Sequence, residues 1–245
     1  MRTIFVILFL VIYAIISIPL YLVEFIIGKI NPDAKVRSSQ YLVTKAFKIV
    51  IFLSGTKVTV KGLENVPKEA VLFVSNHRSY YDIVITFATT PHLTAFVAKK
   101  EMRHIPCISH WMRNLNCLFL DRNDIRAGLK TILEGIETIK KGYSMFIAPE
   151  GTRNHEPEML PFKEGSFKLA QKSGCPIVPI ALTNTDNIYE NHSPWVRRAK
   201  VVIHYGEPID MKSLSKDEQK HIGSYVQDVI RQMLVEDEKI IEQKK

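Results

Sequence analysis

The chain has 245 residues, a formal net charge of +8, 46% hydrophobic residues and 24% charged residues. Its length suits one α/β domain with a short appendage and excludes two large enzymatic domains. The balance of apolar and charged residues is typical of a folded protein and excludes extensive disorder. Residues 1–63 hold eight Lys or Arg against two acidic residues, whereas the 25 later basic residues nearly balance 23 acidic ones, so the excess charge lies near the start.

The first predicted element is an apolar helix. Thr3–Val23 comprises 21 residues without a formal charge, which is about the length that crosses ~30 Å of hydrocarbon. No small-residue cleavage site is evident before Glu24, so we expect a retained membrane segment and not a signal peptide. The basic excess adjoins this segment, which indicates an anionic membrane surface as its partner and argues against nucleic acid.

A second apolar stretch, Tyr41–Ser54, carries two lysines and is too short to cross a membrane comfortably, so we expect an interfacial or half-buried helix. Lys and Arg are more frequent after the first segment than before it, which predicts that the rest of the chain lies on the cytoplasmic side of the cell membrane. Pro19 allows a kink that would give a re-entrant hairpin in one leaflet. Spanning and monotopic anchoring both stay open.

Beyond Gly55 the pattern changes to short β-branched runs separated by helical stretches, as in an α/β fold with a mixed sheet flanked by helices. A capping box at Ser215 and Glu218 begins a further predicted helix, Ser215–Lys239. We therefore divide the chain into membrane-anchoring helices at 1–54 and an α/β domain at 55–245. The predicted strands are Lys57–Lys61, Ala70–Ser75, Thr94–Ala98, Cys117–Leu120, Met145–Ala148, Ile177–Leu182 and Lys200–Tyr205.

The cysteines indicate neither disulfides nor a metal site. Cys107, Cys117 and Cys175 are odd in number, widely spaced and form no CxxC pair, so we expect a reducing compartment. The six histidines from His104 onward show no metal-ligand spacing, and we expect no metal.

The segment Ser75-Asn-His77-Arg-Ser-Tyr-Tyr-Asp82 follows an apolar predicted strand. His77 and Asp82 stand five residues apart, so their side chains meet only across a turn from strand to helix. One interpretation is that Asp82 merely favours the start of a helix capped by Ser79. The other is that the Asp82 carboxylate orients His77, leaving its second ring nitrogen free to act as a base on an alcohol.

A second segment, Ala148-Pro-Glu150-Gly151-Thr152-Arg153, also follows a predicted strand. By itself it predicts only a turn, although Gly151 permits close backbone approach and Arg153 offers a planar fork that matches phosphate oxygens. Two further predicted strands are followed by Lys99 and Arg122, so cations lie at three strand ends. Alone, each of these would be a solvated surface charge.

Together these segments resemble the PlsC-type 1-acylglycerol-3-phosphate acyltransferase family. Its NHxxxxD, FxxR, PEGTR and VPI blocks occur here in that order, from Asn76 to Leu182. The resemblance implies a glycerol-3-phosphate acyltransferase-like fold and an enzyme of phospholipid biosynthesis. Such an enzyme moves a fatty acyl chain from a thioester to the sn-2 hydroxyl of lysophosphatidic acid and gives phosphatidic acid.

The resemblance also implies roles for individual residues. His77 would be the general base and Asp82 its orienting partner. The acyl thioester, of coenzyme A or of acyl carrier protein, would be the co-substrate, and no cofactor is expected. Transfer would be direct, in agreement with the absence of a GxSxG elbow, because Gly142–Phe146 lacks the second Gly. The predicted substrate-binding residues are Lys99, Arg122, Glu150, Gly151, Thr152 and Arg153, with Lys163 as a further candidate.

The sequence departs from the family pattern at two positions, and these bear on which acceptor is bound more than on the type of reaction. Asn116 stands where the FxxR block usually begins with Gly, and Ala148 replaces a common aromatic residue. Another lysophospholipid is therefore an alternative acceptor. Thioester hydrolysis and a non-catalytic membrane module that binds phospholipid are alternatives of different classes.

Overall fold

A computed structural model describes residues 1–243, so the last two residues of the predicted 55–245 domain lie outside it. All seven predicted strands are confirmed, each with boundaries within two residues of the prediction. They form one sheet in the order β1-β7-β6-β2-β5-β3-β4. The strands are β1 (Lys57–Lys61), β2 (Leu72–Ser75), β3 (Thr94–Lys99), β4 (Leu118–Leu120), β5 (Ser144–Ile147), β6 (Ile177–Thr183) and β7 (Lys200–Tyr205).

The sheet is mixed, as predicted. Strands β6, β2, β5, β3 and β4 pair in parallel, whereas β7 is antiparallel to β6 and parallel to β1. The carboxyl ends of the five parallel strands therefore meet at one edge of the sheet, where functional groups of such folds gather. We call this the catalytic edge.

Helices cover both faces of the sheet. One hydrophobic cluster contains residues of the first four helices, and the other contains residues of the fifth, sixth and eighth. The helices are α1 (Arg2–Ile30), α2 (Pro32–Ser54), α3 (Tyr80–Thr89), α4 (Ile108–Asn114), α5 (Ile125–Lys140), α6 (Lys168–Ser173), α7 (Lys216–Lys220) and α8 (Ile222–Gln243).

Helices α1 and α2 form an antiparallel hairpin that turns at Asn31, whose side chain accepts a hydrogen bond from Ala34 N. Within residues 1–243, α1 is the one helix long and apolar enough to span a membrane, and 11% of its most apolar window is buried. The second helix begins at Pro32, nine residues before the predicted apolar stretch, because the Asn31 cap and Pro at the first helical position start it there.

The predicted helix Ser215–Lys239 is two helices in the structure, and the second continues to Gln243. The capping box of Ser215 and Glu218 is present, but the single predicted helix is interrupted at His221, which has φ −112° and ψ 33°. A second helix then starts, and the Glu164 carboxylate accepts from Gly223 N at 3.0 Å and 3.1 Å. This capping group lies 59 residues away in the chain, so local sequence gave no sign of the break.

Candidate active site

The site begins where β2 ends and α3 starts. Asn76 fixes this turn to the neighbouring strand β6, since its side-chain amide donates to Leu182 O and accepts from Leu182 N, both at 2.9 Å. Ser79 is the N-cap of α3 and accepts from Tyr81 N at 2.9 Å. The turn is therefore held at both ends, which positions the residues between them.

His77 and Asp82 meet across this turn, with 2.9 Å between His77 Nδ1 and Asp82 Oδ2. The fully buried Asp82 carboxylate also accepts from the backbone N–H groups of Arg78 at 2.7 Å and Ser79 at 2.8 Å. Asp82 thus makes the contacts that both interpretations require, because the oxygen that caps α3 is also the oxygen that faces the imidazole.

The arrangement fixes the tautomer of His77. Oδ2 already accepts two N–H groups and carries negative charge, so it requires a proton on Nδ1 of His77. The other nitrogen, Nε2, then carries the lone pair. Among residues 1–243 no group is hydrogen-bonded to Nε2, and the side chain is 18% exposed, so this nitrogen is available to a substrate.

Thr185 hydrogen-bonds to the second oxygen of the Asp82 carboxylate. Its hydroxyl donates to Asp82 Oδ1 at 2.5 Å, and both residues are fully buried. A buried charge without donors is costly, and here each carboxylate oxygen has at least one. Thr185 lies just beyond β6 and was not predicted as part of the site, because 103 residues separate it from Asp82.

Glu150 lies beneath the turn. Its side chain accepts from His77 N at 2.7 Å and from Leu160 N at 2.9 Å, so it joins the end of β5 to two other segments. Burial raises the pKa of this carboxyl and outweighs the lowering effect of the two backbone N–H groups. The structure therefore places Glu150 as a support for His77.

Arg153 lies over the aromatic ring of Tyr80, with its Cζ 3.6 Å from the ring centroid. The guanidinium donates to Tyr80 Oη at 2.9 Å and to Glu190 Oε1 at 3.3 Å. Asn154 N, next in the chain, donates to His77 O at 2.8 Å. This backbone contact brings Arg153 to the neighbourhood of His77, as the strand order predicts.

Three other predicted residues surround a cavity of about 260 Å³ at the ends of β3, β4 and β5. Arg122, Gly151 and Lys163 line it together with apolar side chains such as Leu120 and Ile147. Gly151 has φ +79°, and a β-carbon there would lie 2.6 Å from Lys163 Nζ. The positive φ favours glycine at this position, whereas the end of the flexible Lys163 side chain could shift to make room for a β-carbon.

Two predicted binding residues, Lys99 and Thr152, lie neither at this cavity nor in the group around His77. Lys99 does not line it, its side chain is 60% exposed, and its Nζ lies 3.8 Å from Glu101. Thr152 is exposed, and its hydroxyl makes no hydrogen bond within residues 1–243. The structure thus brings Arg122, Gly151 and Lys163 together at one position and His77, Asp82, Glu150 and Arg153 at another along the same edge.

The site thus holds a histidine paired with a carboxylate on a strand-to-helix turn of an α/β sheet, with cations along the same edge. A family model described as Acyltransferase matches residues 57–183, which is more than half of the chain, so the protein belongs to the acyltransferases. Individual relatives indicate which group of acyltransferases the chain is similar to. A 1-acyl-sn-glycerol-3-phosphate acyltransferase of Borreliella burgdorferi is 32% identical over 195 residues, 79% of this chain and 78% of the relative.

The chain is thus a member of the 1-acyl-sn-glycerol-3-phosphate acyltransferase family, which confirms the resemblance seen in the sequence motifs. A protein of the same description from Saccharomyces cerevisiae is 32% identical over 200 residues, 80% of this chain and 65% of that relative. The crystal structure of the 1-acyl-sn-glycerophosphate acyltransferase PlsC from Thermotoga maritima superimposes with a TM-score of 0.83 at 27% identity. It covers 97% of this chain and 95% of that one. The predicted fold class is confirmed by this likeness.

Proposed function

We propose that the protein transfers a fatty acyl chain from a thioester to the sn-2 hydroxyl of 1-acyl-sn-glycerol-3-phosphate, giving phosphatidic acid. The observation that carries this proposal is the His77–Asp82 pair, with 2.9 Å between Nδ1 and Oδ2, at the edge of a sheet that belongs to this family. The relatives described above carry that activity in their names.

The proposed reaction is a direct transfer. Nε2 of His77 takes the proton of the acceptor hydroxyl while the oxygen of that hydroxyl attacks the thioester carbonyl carbon. The resulting tetrahedral intermediate expels the thiolate, which takes the proton from the imidazolium. Asp82 stabilises the imidazolium that forms in between. No protein nucleophile takes part in the proposed step.

The acceptor phosphate is expected at the cations of the catalytic edge. Arg153 lies beside His77, and Arg122 and Lys163 line the neighbouring cavity. Arginine binds phosphate oxygens through paired N–H groups, so positioned guanidinium groups both hold the acceptor and place its hydroxyl near the base. Lys99 and Thr152 are assigned a weaker contribution, because they neither line the cavity nor contact the residues around His77.

The contacts of both ends of α1 with the α/β domain favour monotopic anchoring over a helix that spans the membrane. Thr3 Oγ1 accepts from Val196 N at 2.8 Å, and Tyr21 Oη donates to Cys107 O at 3.3 Å. These two α1 residues are 18 positions apart, roughly 27 Å along a helix, which is nearly the thickness of the hydrocarbon layer. A crossing helix would place the segments around Val196 and Cys107 on opposite sides of the membrane, although both belong to one domain.

Side-chain packing between these points agrees with a helix that lies along the domain. Trp111 Nε1 donates to Ser17 Oγ at 2.9 Å, and the hydrophobic cluster on this face contains residues of α1, α2 and the α/β domain. The opposite face of α1 exposes its large apolar side chains, among them Phe5, Ile15 and Phe25. We infer that this face enters the cytoplasmic leaflet while the domain stays in water.

The test uses the purified full-length chain in vesicles with lysophosphatidic acid and palmitoyl-coenzyme A, and in parallel with the corresponding acyl carrier protein thioester. Wild-type protein is expected to form phosphatidic acid with at least one donor, and His77→Ala to lose most of the activity. Release of free fatty acid without phosphatidic acid would indicate hydrolysis, and no turnover with either donor would favour a binding module. Faster reaction with another lysophospholipid would reassign the acceptor.

A further inference from the structure

Two residues outside the His77–Asp82 pair, Tyr80 and Glu190, contact the Arg153 guanidinium. Its guanidinium is stacked on the ring of Tyr80, which is 57% exposed, and is hydrogen-bonded to Glu190, whose side chain is 4% exposed. The guanidinium lies over the face of the ring, so the ring contact itself uses none of its N–H donors and leaves them available for hydrogen bonds. Two of its five N–H donors are used by Tyr80 Oη and Glu190 Oε1.

The remaining three N–H donors have no hydrogen-bond partner within residues 1–243. They form the free part of a fork that suits two oxygens of one phosphate. A free arginine side chain loses rotamer entropy when it is fixed, so a guanidinium held before binding saves part of that loss.

Glu190 is itself firmly held. Its carboxylate accepts from Ser79 Oγ at 2.6 Å and from Tyr80 N at 2.8 Å, both at the first turn of α3. The same helix start carries Asp82, which orients His77. Glu190 therefore sets the position of Arg153 relative to the helix that also positions the base.

We propose that Tyr80 and Glu190 are positioning residues that hold the Arg153 guanidinium for the phosphate monoester of the acceptor and so set the affinity for that acceptor. The proposal rests on the proposed function, since it needs an acceptor that carries phosphate. The competing explanation is that Glu190 only caps α3 and contributes to folding, with Arg153 a bystander.

The two explanations differ in which kinetic constant changes. If Glu190 and Tyr80 act through Arg153, Tyr80→Ala and Glu190→Ala raise the KM for lysophosphatidic acid about 10-fold and leave the KM for palmitoyl-coenzyme A unchanged, with kcat within about 3-fold. Tyr80→Phe keeps the stacked ring and is expected to raise the same KM only about 2-fold to 3-fold. Glu207→Ala, an exposed carboxylate beyond the opposite edge, is the matched control and should behave as wild type.

A double-mutant cycle with Arg153→Ala makes the test decisive. Once Arg153 is absent, Glu190→Ala and Tyr80→Ala should add no further increase in the KM for lysophosphatidic acid, because their effect passes through the guanidinium. Independent, multiplying effects would overturn the proposal, as would a loss of kcat with unchanged acceptor KM. Tyr80 is exposed, so its variants remain informative even if Glu190→Ala does not fold. A wild-type protein that forms no phosphatidic acid would refute the proposed function instead.

Discussion

Replacing Asp82 by asparagine removes one charge and keeps the shape of the side chain. Two backbone N–H groups and His77 Nδ1 converge on Oδ2, whereas the Thr185 hydroxyl lies at Oδ1. The asparagine oxygen should therefore occupy the Oδ2 position, because an NH₂ group there would face three donors. The new NH₂ group would face Thr185, whose hydroxyl can accept instead of donate.

The expected loss in the Asp82→Asn variant follows from this orientation. The tautomer of His77 is preserved, so what disappears is the attraction between the carboxylate and the imidazolium formed during the reaction. Two unit charges about 4 Å apart interact by about 4 kcal/mol at an effective dielectric constant of about 20. Part of that is replaced by the amide dipole, which leaves about 3 kcal/mol, or a fall of kcat by a factor of about 100.

The assay is phosphatidic acid formation at saturating substrates, with thermal unfolding measured on the same samples. We expect the variant to stay folded, because weaker hydrogen bonds to a neutral acceptor cost about 1–3 kcal/mol against a typical stability of about 5–15 kcal/mol. Asp217→Asn, whose side chain is 91% exposed, is the control for loss of one charge. A kcat for Asp82→Asn within about 3-fold of wild type would refute the role given to the carboxylate.

Three further outcomes follow from the structure. Thr185→Val, which leaves one buried oxygen of Asp82 without its side-chain donor, should lower the free energy of unfolding by about 1–3 kcal/mol in urea titrations, and an unchanged value would remove Thr185 from the site. Gly151→Ala and Gly174→Ala both force a side chain into φ +79° and should each cost about 1–2 kcal/mol, but only Gly151→Ala should also slow phosphatidic acid formation. Burial lowers the pKa of His92 below its unfolded value, so the unfolded chain binds a proton at this imidazole more readily and the free energy of unfolding falls as pH drops below about 6.5. In urea unfolding at pH 7.5 and 5.5, His92→Gln should therefore show a smaller fall than wild type. An equal fall would contradict the role given to His92.

The contact between His77 and Asp82 could be predicted from the sequence because both residues lie on one turn. His77 and Asp82 are five residues apart, and the capping preference of Ser79 together with the preceding apolar strand determines how the chain bends between them. The seven strands were predictable for a similar reason, since alternating β-branched runs are local signals. The family motifs also indicated which basic residues lie along this edge, Arg122 and Arg153 among them.

The supporting residues could not be predicted in this way. Thr185 and Glu190 reach the first turn of α3 from 103 and 111 residues away, and neither lies in a periodic or glycine-rich segment. Likewise, the contact of Ser17 with Trp111 joins residues 94 positions apart. Such contacts depend on how elements pack in three dimensions, so hydropathy of the first helix left spanning and monotopic anchoring equally open.

The open end of the hairpin lies at Gly55, close to Arg2 and Arg198. Gly55 directly precedes β1, and the starts of β1 and β7 lie beside the carboxyl end of β6, so this end of the hairpin is on the side of the catalytic edge. With the monotopic anchoring proposed above, we expect substrate and product to exchange sideways with the surrounding leaflet instead of through bulk water. Turnover then follows the mole fraction of lysophospholipid in the surface, and diluting that surface with inert lipid slows the enzyme at constant bulk concentration.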